Sequence, residues 1–201
     1  MASVTIAPKD VAELRARTGA GMMDCKRALE EAGGDMEKAG EILRKKGIAK
    51  AEKRAGRTAS QGLVVSYIHH NHQVGVLLEI NSETDFVARN EAFKELARDI
   101  ALHIASADPI GVAAEDIPAD LLERERRIAE EQVAAEGKPE NVRAKIVEGK
   151  LKKFVAERTL LEQPYVRDDS KTVGDLVKEV SGKLGEAITV RRFARFQIGA
   201  A

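Results

Sequence analysis

The run LVVSYIHHNHQVGVLLEINSETDFVARN, residues 63 to 90, contains two apolar segments and the polar connection that follows them. Leu63 to His70 and Gln73 to Asn81 are rich in Val, Ile, Leu and Tyr, and Asn71–His72 separates them. Successive side chains of a strand point to opposite faces, and both faces carry apolar residues here. The pattern predicts an antiparallel hairpin whose two faces both need a cover.

The connection from Asn81 to Asn90 contains an apolar ring where polar residues are usual. Connections between strands and helices are mostly short and polar, so Phe86 beside Asp85 suggests a group presented outward to a partner. The alternative is that Ser82 and Asp85 form a weak capping box and Phe86 folds back onto the sheet. The pattern alone leaves both interpretations open.

Residues 8 to 46 have the pattern of three short helices. Pro8 suits a first helical turn, Gly19 is placed to end the first helix, Asp35 can cap the third, and Gly47 is expected to end it. Such a small module buries little surface, so its apolar groups are expected to find a partner.

Two adjacent methionines, Met22 and Met23, start the second predicted helix. They cannot both face one small core, so one is a candidate for an exposed, adaptable apolar contact. Half-buried core methionines explain the pair equally well. Cys25 has no evident activating partner and is interpreted as a small buried side chain.

A basic segment runs from Arg44 to Arg57, with Glu52 as its single acid. It lacks aromatic residues for base stacking, so a solvated helix that spaces two domains is favoured over a nucleic-acid site. We therefore expect residues 1–55 to form a three-helix module with a basic tether, and residues 56–201 to form the core and dimerisation domain.

Helical patterns dominate the rest of the chain, and a strand ends it. Asn90 caps a helix with an apolar stripe, two helices follow between Ala119 and Glu162, and Thr172 caps the last one. The final strand is expected to place Ile188, Val190, Ala194, Phe196 and Ile198 on one face and Arg191, Phe193 and Arg195 on the other. The predicted fold class is α+β: an N-terminal three-helix module plus a core of a small antiparallel sheet, the hairpin and the C-terminal strand, packed with helices.

Composition limits the possible functions. The 201 residues include 33 basic and 33 acidic side chains, so the overall charge does not mark a nucleic-acid or membrane-surface protein. Cys25 is the only cysteine, Met1 to Val4 lack the features of a signal peptide, and the apolar run Val74 to Ile80 is too short to cross a membrane. We expect a cytoplasmic protein with no membrane partner and no direct nucleic-acid partner.

No motif for catalysis, a cofactor or a metal is expected. His69, His70 and His72 cluster at the hairpin tip, but neighbouring strand residues face opposite sides and no cysteine stands at ligand spacing. Thr18 to Gly21 resembles a phosphate-binding loop only superficially, because it lacks a preceding strand and a following Lys-Ser or Lys-Thr pair.

Two stretches closely resemble translation elongation factor Ts: LRARTGAGMMDCKRAL, residues 14 to 29, and ETDFVARN, residues 83 to 90. The resemblance covers the whole chain and the order of its parts, and implies that the first module is ubiquitin-associated-like. The chain has one set of hairpin, helix and C-terminal strand, like the short, single-repeat form of that family.

The resemblance implies a guanine-nucleotide exchange factor for elongation factor Tu, the GTPase that delivers aminoacyl-tRNA to the ribosome. Such a protein is not an enzyme and needs no cofactor: it binds the GDP complex, displaces Mg²⁺ and promotes release of GDP for GTP exchange. The residues that the resemblance assigns to Mg²⁺ dislocation are Thr84, Asp85, Phe86 and Val87, and those that it assigns to docking of the N-terminal module are Arg15, Met22 and Met23.

A single-repeat chain implies that two copies act together, and the sheet with two apolar faces agrees with a homodimer joined through the core sheets. Two hypotheses from other classes compete with this one. The first is a ribosome-associated or nucleic-acid-binding adaptor that uses the basic tether with Arg191, Arg192, Arg195, Phe193 and Phe196. The second is a thiol enzyme that uses Cys25.

Overall fold

The computed structural model describes residues 6 to 137 and 139 to 200, so Met1 to Val4, on which the signal-peptide prediction rests, lie outside the described residues. The α-helices of the described residues are α1 Pro8–Thr18, α2 Met22–Glu31, α3 Met36–Glu52, α4 Asp85–Ala88, α5 Glu91–Ala107, α6 Ala119–Ala135, α7 Glu140–Arg158 and α8 Val173–Leu184. The strands are β1 Gln61–Ile68, β2 Val74–Ser82, β3 Pro164–Tyr165, β4 Asp168–Thr172 and β5 Ile188–Gln197. The α+β prediction is confirmed.

The chain divides into two compact units. The first comprises the described residues up to Leu63 together with Asn81–Leu96 and Val177–Thr189. The second comprises Val64–Ile80, Ala97–Leu176 and the described residues from Val190 onward. The N-terminal helices and α4 belong to the first unit, and most of the three-stranded sheet belongs to the second.

The three N-terminal helices begin and end largely where local signals predict. Pro8 occupies the first turn of α1, and Gly19 follows the helix in the left-handed conformation, with φ of 69°. Asp35 caps α3, because its carboxylate accepts hydrogen bonds from the backbone N–H groups of Glu37 and Lys38, both at 3.0 Å. The buried side chains between these helices are Val11, Leu14, Cys25, Ala28, Leu29 and Ala39.

The predicted end of the third helix at Gly47 is wrong. Helix α3 continues to Glu52, and Gly47 lies opposite Gly182 in the last turn of α8. A Cβ atom on Gly182 would lie 2.7 Å from the carbonyl oxygen of Gly47, which is closer than two such atoms can approach. Gly47 and Gly182 therefore let two helix backbones pack directly together, and the basic segment begins as part of α3.

The three-stranded sheet has the order β1-β2-β5. The N–H of His69 donates to the carbonyl of Val74 at 2.9 Å and closes the hairpin, and the N–H of Ile198 donates to the carbonyl of Gln73 at 3.0 Å. His72 adopts φ of 59° in the turn. The predicted hairpin and its pairing with the C-terminal strand are confirmed.

The two faces of this sheet differ in burial. On one face Val76, Leu78 and Ile80 are buried, and Arg195 reaches from β5 to the carbonyl of Ala105 in α5 at 3.2 Å. The opposite face, called here the exposed sheet face, presents the apolar side chains Val64, Ile68, Leu77, Phe196 and Ile198. One of the two predicted covers is thus provided within the second unit.

The predicted alternation of β5 is wrong beyond Val190. Val190 is buried, Arg191 and Arg192 are both exposed, and Phe193 and Arg195 are partly buried. Two consecutive exposed residues reverse the alternation, as an extra residue in a strand does. Phe196 therefore lies on the opposite face from Val190.

The remaining helices follow their sequence patterns. Asn90 accepts a hydrogen bond from Ala92 N at 2.9 Å at the start of α5, and Thr172 Oγ1 accepts one from Asp175 N at 3.0 Å at the start of α8. Helices α6 and α7 share a small core that includes Val133. No helix in the described ranges is long and apolar enough to cross a membrane.

Candidate functional site

The connection after β2 forms the single helical turn α4, capped by Thr84. The Thr84 Oγ1 atom accepts a hydrogen bond from Val87 N at 3.4 Å, as a helix N-cap does. The Ser82 hydroxyl donates instead to the carbonyl of Thr84 at 2.9 Å. The alternative capping box between Ser82 and Asp85 is therefore wrong, because the cap lies two residues later.

Hydrogen bonds to the carboxylates of Glu83 and Glu186 fix this connection to the segment between α8 and β5. The backbone N–H and hydroxyl of Thr84 both donate to the carboxylate of Glu186, at 2.9 and 2.6 Å. The carboxylate of Glu83 accepts from the N–H of Ala187 at 2.7 Å. Hydrogen bonds to a charged acceptor are about twice as strong as neutral ones, so these contacts hold α4 in one orientation.

The charge of Glu83 is stabilised by its surroundings. The hydrogen bond from the N–H of Ala187 lowers the pKa of the Glu83 carboxyl, and the guanidinium of Arg57, 3.4 Å away, lowers it further against the opposing effect of burial. The negative charge at the base of α4 is therefore maintained at neutral pH.

Phe86 projects from α4 into solvent. Its side chain is 79% exposed, and Asp85 beside it forms an ion pair with Arg89 at 2.8 Å. Ala88 is the buried residue of this turn. The interpretation that Phe86 folds back onto the sheet is wrong, because the turn buries Ala88 instead and leaves the aromatic ring free.

The N-terminal module exposes the residues that its resemblance singles out. Met22 and Met23 are 51% and 63% exposed, so both methionines, rather than one, lie at the surface. Arg15 on α1 is exposed as well. These residues and the Thr84–Val87 segment all belong to the first compact unit.

Cys25 and two of the arginines named by the competing hypotheses make internal contacts. Cys25 is fully buried and its thiol donates to the carbonyl of Ala20 at 3.7 Å, which confirms a structural rather than an accessible side chain. Arg195 is 13% exposed and pairs with Asp108 at 2.9 Å, and Arg192 pairs with Glu79 at 2.6 Å. Within the described ranges, no three His, Cys, Asp or Glu side chains come together as a metal site would require.

Sequence reasoning missed a buried polar network around His103. Its Nδ1 atom accepts from Val166 N at 3.2 Å, so the proton lies on Nε2, which donates to Gln163 Oε1 at 2.9 Å. The Gln163 amide donates in turn to the carbonyls of Ala107 and Glu157. Burial lowers the pKa of His103, and this effect exceeds that of the hydrogen bond with Gln163, which raises the pKa. A sequence signal for this network was available, because His103 is a polar residue within the apolar stripe of α5.

Comparison with known proteins decides the family. The family model described as elongation factor TS matches residues 3–200. The chain belongs to the elongation factor Ts family. It is 54% identical over 195 residues to elongation factor Ts of Desulfosudis oleivorans, with 97% of this chain and 98% of that protein covered. It is 58% identical over 189 residues to elongation factor Ts of Carboxydothermus hydrogenoformans, covering 94% and 87%.

A third relative, elongation factor Ts of Fervidobacterium nodosum, is 55% identical over 194 residues, with 96% of this chain and 98% of that protein covered. Near-complete coverage in both directions means that the likeness extends beyond the two motifs to the whole sequence. The resemblance to elongation factor Ts is confirmed, and it makes the chain a factor of the elongation stage of protein synthesis.

Proposed function

We propose that this chain is a guanine-nucleotide exchange factor for elongation factor Tu in the cytoplasm. It binds the GDP complex, displaces the Mg²⁺ of that partner and promotes release of GDP so that GTP replaces it. The observation that carries this proposal is the exposure of Phe86 on a turn that Glu186 and Thr84 hold in place. A rigidly held apolar side chain in solvent suits insertion into another protein.

The exchange reaction requires only that the affinity of the partner for GDP be lowered. Mg²⁺ and backbone N–H groups hold nucleotide phosphates in such GTPases. Moving the elements that position them therefore weakens the binding of GDP without any contact to its base. In this proposal Thr84, Asp85, Phe86 and Val87 enter near the magnesium. The coupling is reciprocal. Bound nucleotide lowers the affinity of elongation factor Tu for this chain by the same ratio by which this chain lowers its affinity for the nucleotide.

The energy needed exceeds what one side chain supplies. A thousandfold faster release requires about 4 kcal/mol, whereas full burial of one Phe contributes roughly 1.5 to 3 kcal/mol. Phe86 alone is therefore insufficient. Arg15, Met22 and Met23 form the second contact in this proposal, because two exposed methionines provide an adaptable apolar surface for docking.

The test is release of fluorescent GDP from elongation factor Tu. The wild-type chain should accelerate release, and Phe86→Ala should remove most of that acceleration. Val166→Ala is the matched control, because Val166 is also apolar and exposed but belongs to the second unit. Absence of acceleration by the wild-type chain would contradict the proposal, as would equal loss in both variants.

The division of labour along the chain is part of the same proposal. Residues 1–55 act as the docking module with its basic tether, and residues 56–201 act as the core and dimerisation domain. The exposed sheet face supports a homodimer joined through the core sheets, because its apolar side chains need a cover.

A further inference from the structure

The first unit contains a cavity of about 590 Å³ whose lining is strongly cationic. It is an open cleft bordered by the end of α1 and the following turn, by the start of α2, by α3 and by the second half of α8. Two carboxylates, Asp24 and Glu179, line it. The cationic lining residues are Arg17, Arg44, Lys46, Lys50, Arg54 and Lys183. The lining thus has an excess of positive charge in a chain whose total charge is zero.

Glycines shape this cavity. The backbone contact of Gly47 with Gly182 brings α3 and α8 together at one point, and both residues are part of the lining. At Gly40 and Gly185, an added Cβ atom would meet no atom within 4 Å. The cavity is therefore open at these two positions, and a ligand there would face backbone and cationic side chains.

The ion pairs that the lining cations form within the cavity are weak. Lys50 pairs with Asp24 at 3.1 Å and Arg44 with Glu179 at 3.8 Å, and both cations are about half exposed. Ion pairs of this exposed kind contribute about 0 to 1 kcal/mol, so a multiply charged ligand can replace them.

Two further cations of the lining, Arg17 and Lys46, pair with carboxylates that do not line the cavity. Arg17 contacts Glu37 at 2.6 Å and Lys46 contacts Glu31 at 2.5 Å. These pairs lie at the surface, where side-chain exposure is about half or more on both sides. Both cations therefore keep donor groups free for another anion, since Lys has three donors and Arg has five.

Arg54 adds a guanidinium to the lining of the cavity. One terminal nitrogen of its guanidinium is buried and has no hydrogen-bond partner among the described residues. A buried donor without a partner is costly, and guanidinium groups pair well with the oxygens of phosphate. That nitrogen has almost no accessible surface, so an anion in the cavity would pair with the rest of the guanidinium.

We propose that this cavity binds a small phosphate-bearing anion, recognised through a diphosphate group. Its volume is within the range of small-molecule sites, and its cations match the several charges of a diphosphate. None of the described residues that line it is aromatic, so no side chain is available to stack on a nucleobase. Recognition is therefore of the phosphates, and inorganic pyrophosphate is a sufficient probe.

The test is titration of the full chain with pyrophosphate by calorimetry, with sulfate as the comparison anion. We expect saturable binding at one site, with GDP and ADP binding about as tightly as pyrophosphate. Arg54→Gln removes one guanidinium from the lining, and Gly40→Glu places a carboxylate in open space without a clash. Each variant should weaken binding about tenfold or more, the effect of losing one charge-assisted contact.

Lys153→Gln is the control variant, because Lys153 is an exposed lysine of α7 in the second unit. Circular dichroism establishes that each variant keeps its helices, and Gly40→Glu serves if Arg54→Gln does not fold. Absence of saturable binding would overturn the proposal, as would equal weakening by Lys153→Gln. Much tighter binding of GDP than of pyrophosphate, or displacement of pyrophosphate by short RNA, would overturn phosphate-only recognition in favour of a base or polymer site.

Discussion

At the scale of single residues, Thr84 holds in place the helical turn from which the ring of Phe86 projects. It caps α4, and its hydroxyl and N–H both bind Glu186. Thr84→Val keeps the shape of the side chain but removes the hydroxyl. We expect the free energy of unfolding to fall by about 1–2 kcal/mol, as for a lost cap and a carboxylate bond. Thr84→Ser keeps the hydroxyl and should restore most of the stability in urea denaturation.

The same pair of variants separates positioning from contact. If Thr84 acts by holding α4, Thr84→Val should also reduce the acceleration of GDP release, and Thr84→Ser should recover it. A Thr84→Val variant with wild-type stability would contradict the role of the hydroxyl as a cap.

His103 makes stability depend on pH. Burial lowers the pKa of His103 in the folded chain below its ordinary value of 6.5, so the unfolded chain binds the proton more readily. The stability that the neutral imidazole contributes is present above about pH 6.5 and is lost as the pH falls towards the lower folded pKa. The slope from this one group is at most about 1.4 kcal/mol per pH unit.

The measurement is urea denaturation between about pH 7.5 and 5.5, about one unit on each side of the ordinary histidine pKa. His103→Gln should be less stable at neutral pH but should lose less stability on acidification. His72→Asn is the matched control, because His72 lies in the hairpin turn at φ of 59°, which Asn tolerates. An unchanged pH profile in His103→Gln would contradict this assignment.

Residue-level patterns predicted the caps better than the contacts. Asp35, Asn90 and Thr172 cap helices as expected, because a cap depends on neighbours two or three residues away. The exposure of Phe86 could not be derived in this way. It depends on Glu186, which is 102 residues from Thr84 in sequence.

At the scale of elements, Gly47 and Gly182 show why a helix end can be misjudged. A glycine late in a helical pattern signals a stop, but the same residue also allows close helix packing. Only the position of α8 distinguishes the two, and no local pattern contains it. The reversed alternation in β5 has the same origin, because an extra residue in a strand is visible only against its partner strand.

The helix contact gives a direct test. Gly182→Ala would place a Cβ atom 2.7 Å from the carbonyl oxygen of Gly47, so α3 and α8 would have to separate. We expect the free energy of unfolding to fall by about 1–3 kcal/mol, as for other overpacked sites. Gly40→Ala is the matched control in α3, where a Cβ meets nothing within 4 Å. It should raise stability by up to about 1 kcal/mol through helix propensity.

Thermal or urea unfolding of the two alanine variants distinguishes the explanations. Opposite signs for Gly182→Ala and Gly40→Ala support backbone packing at the crossing of α3 and α8. Equal stabilisation in both would mean that the crossing tolerates a side chain, and the packing role of these glycines would be refuted.

At the scale of the whole molecule, alternation in the hairpin predicted both the sheet and its unsatisfied face. Val76, Leu78 and Ile80 are buried as their positions require, while Val64 and Leu77 on the other side remain in solvent. Sequence pattern could identify the face because the period of a strand is fixed. It could not identify the cover, since the pattern of a strand does not say what lies against its exposed face.

The homodimer is tested by charge on the exposed sheet face. The wild-type chain should sediment at micromolar concentration with twice the mass of one chain. Val64→Glu places a carboxylate within this apolar face, and burying an unpaired charge costs several kcal/mol, so the variant should be monomeric. Val166→Glu, at another exposed valine outside the three-stranded sheet, should leave the dimer intact. A wild-type chain that sediments as a monomer would refute the dimer, and a dimeric Val64→Glu would move the interface away from this face.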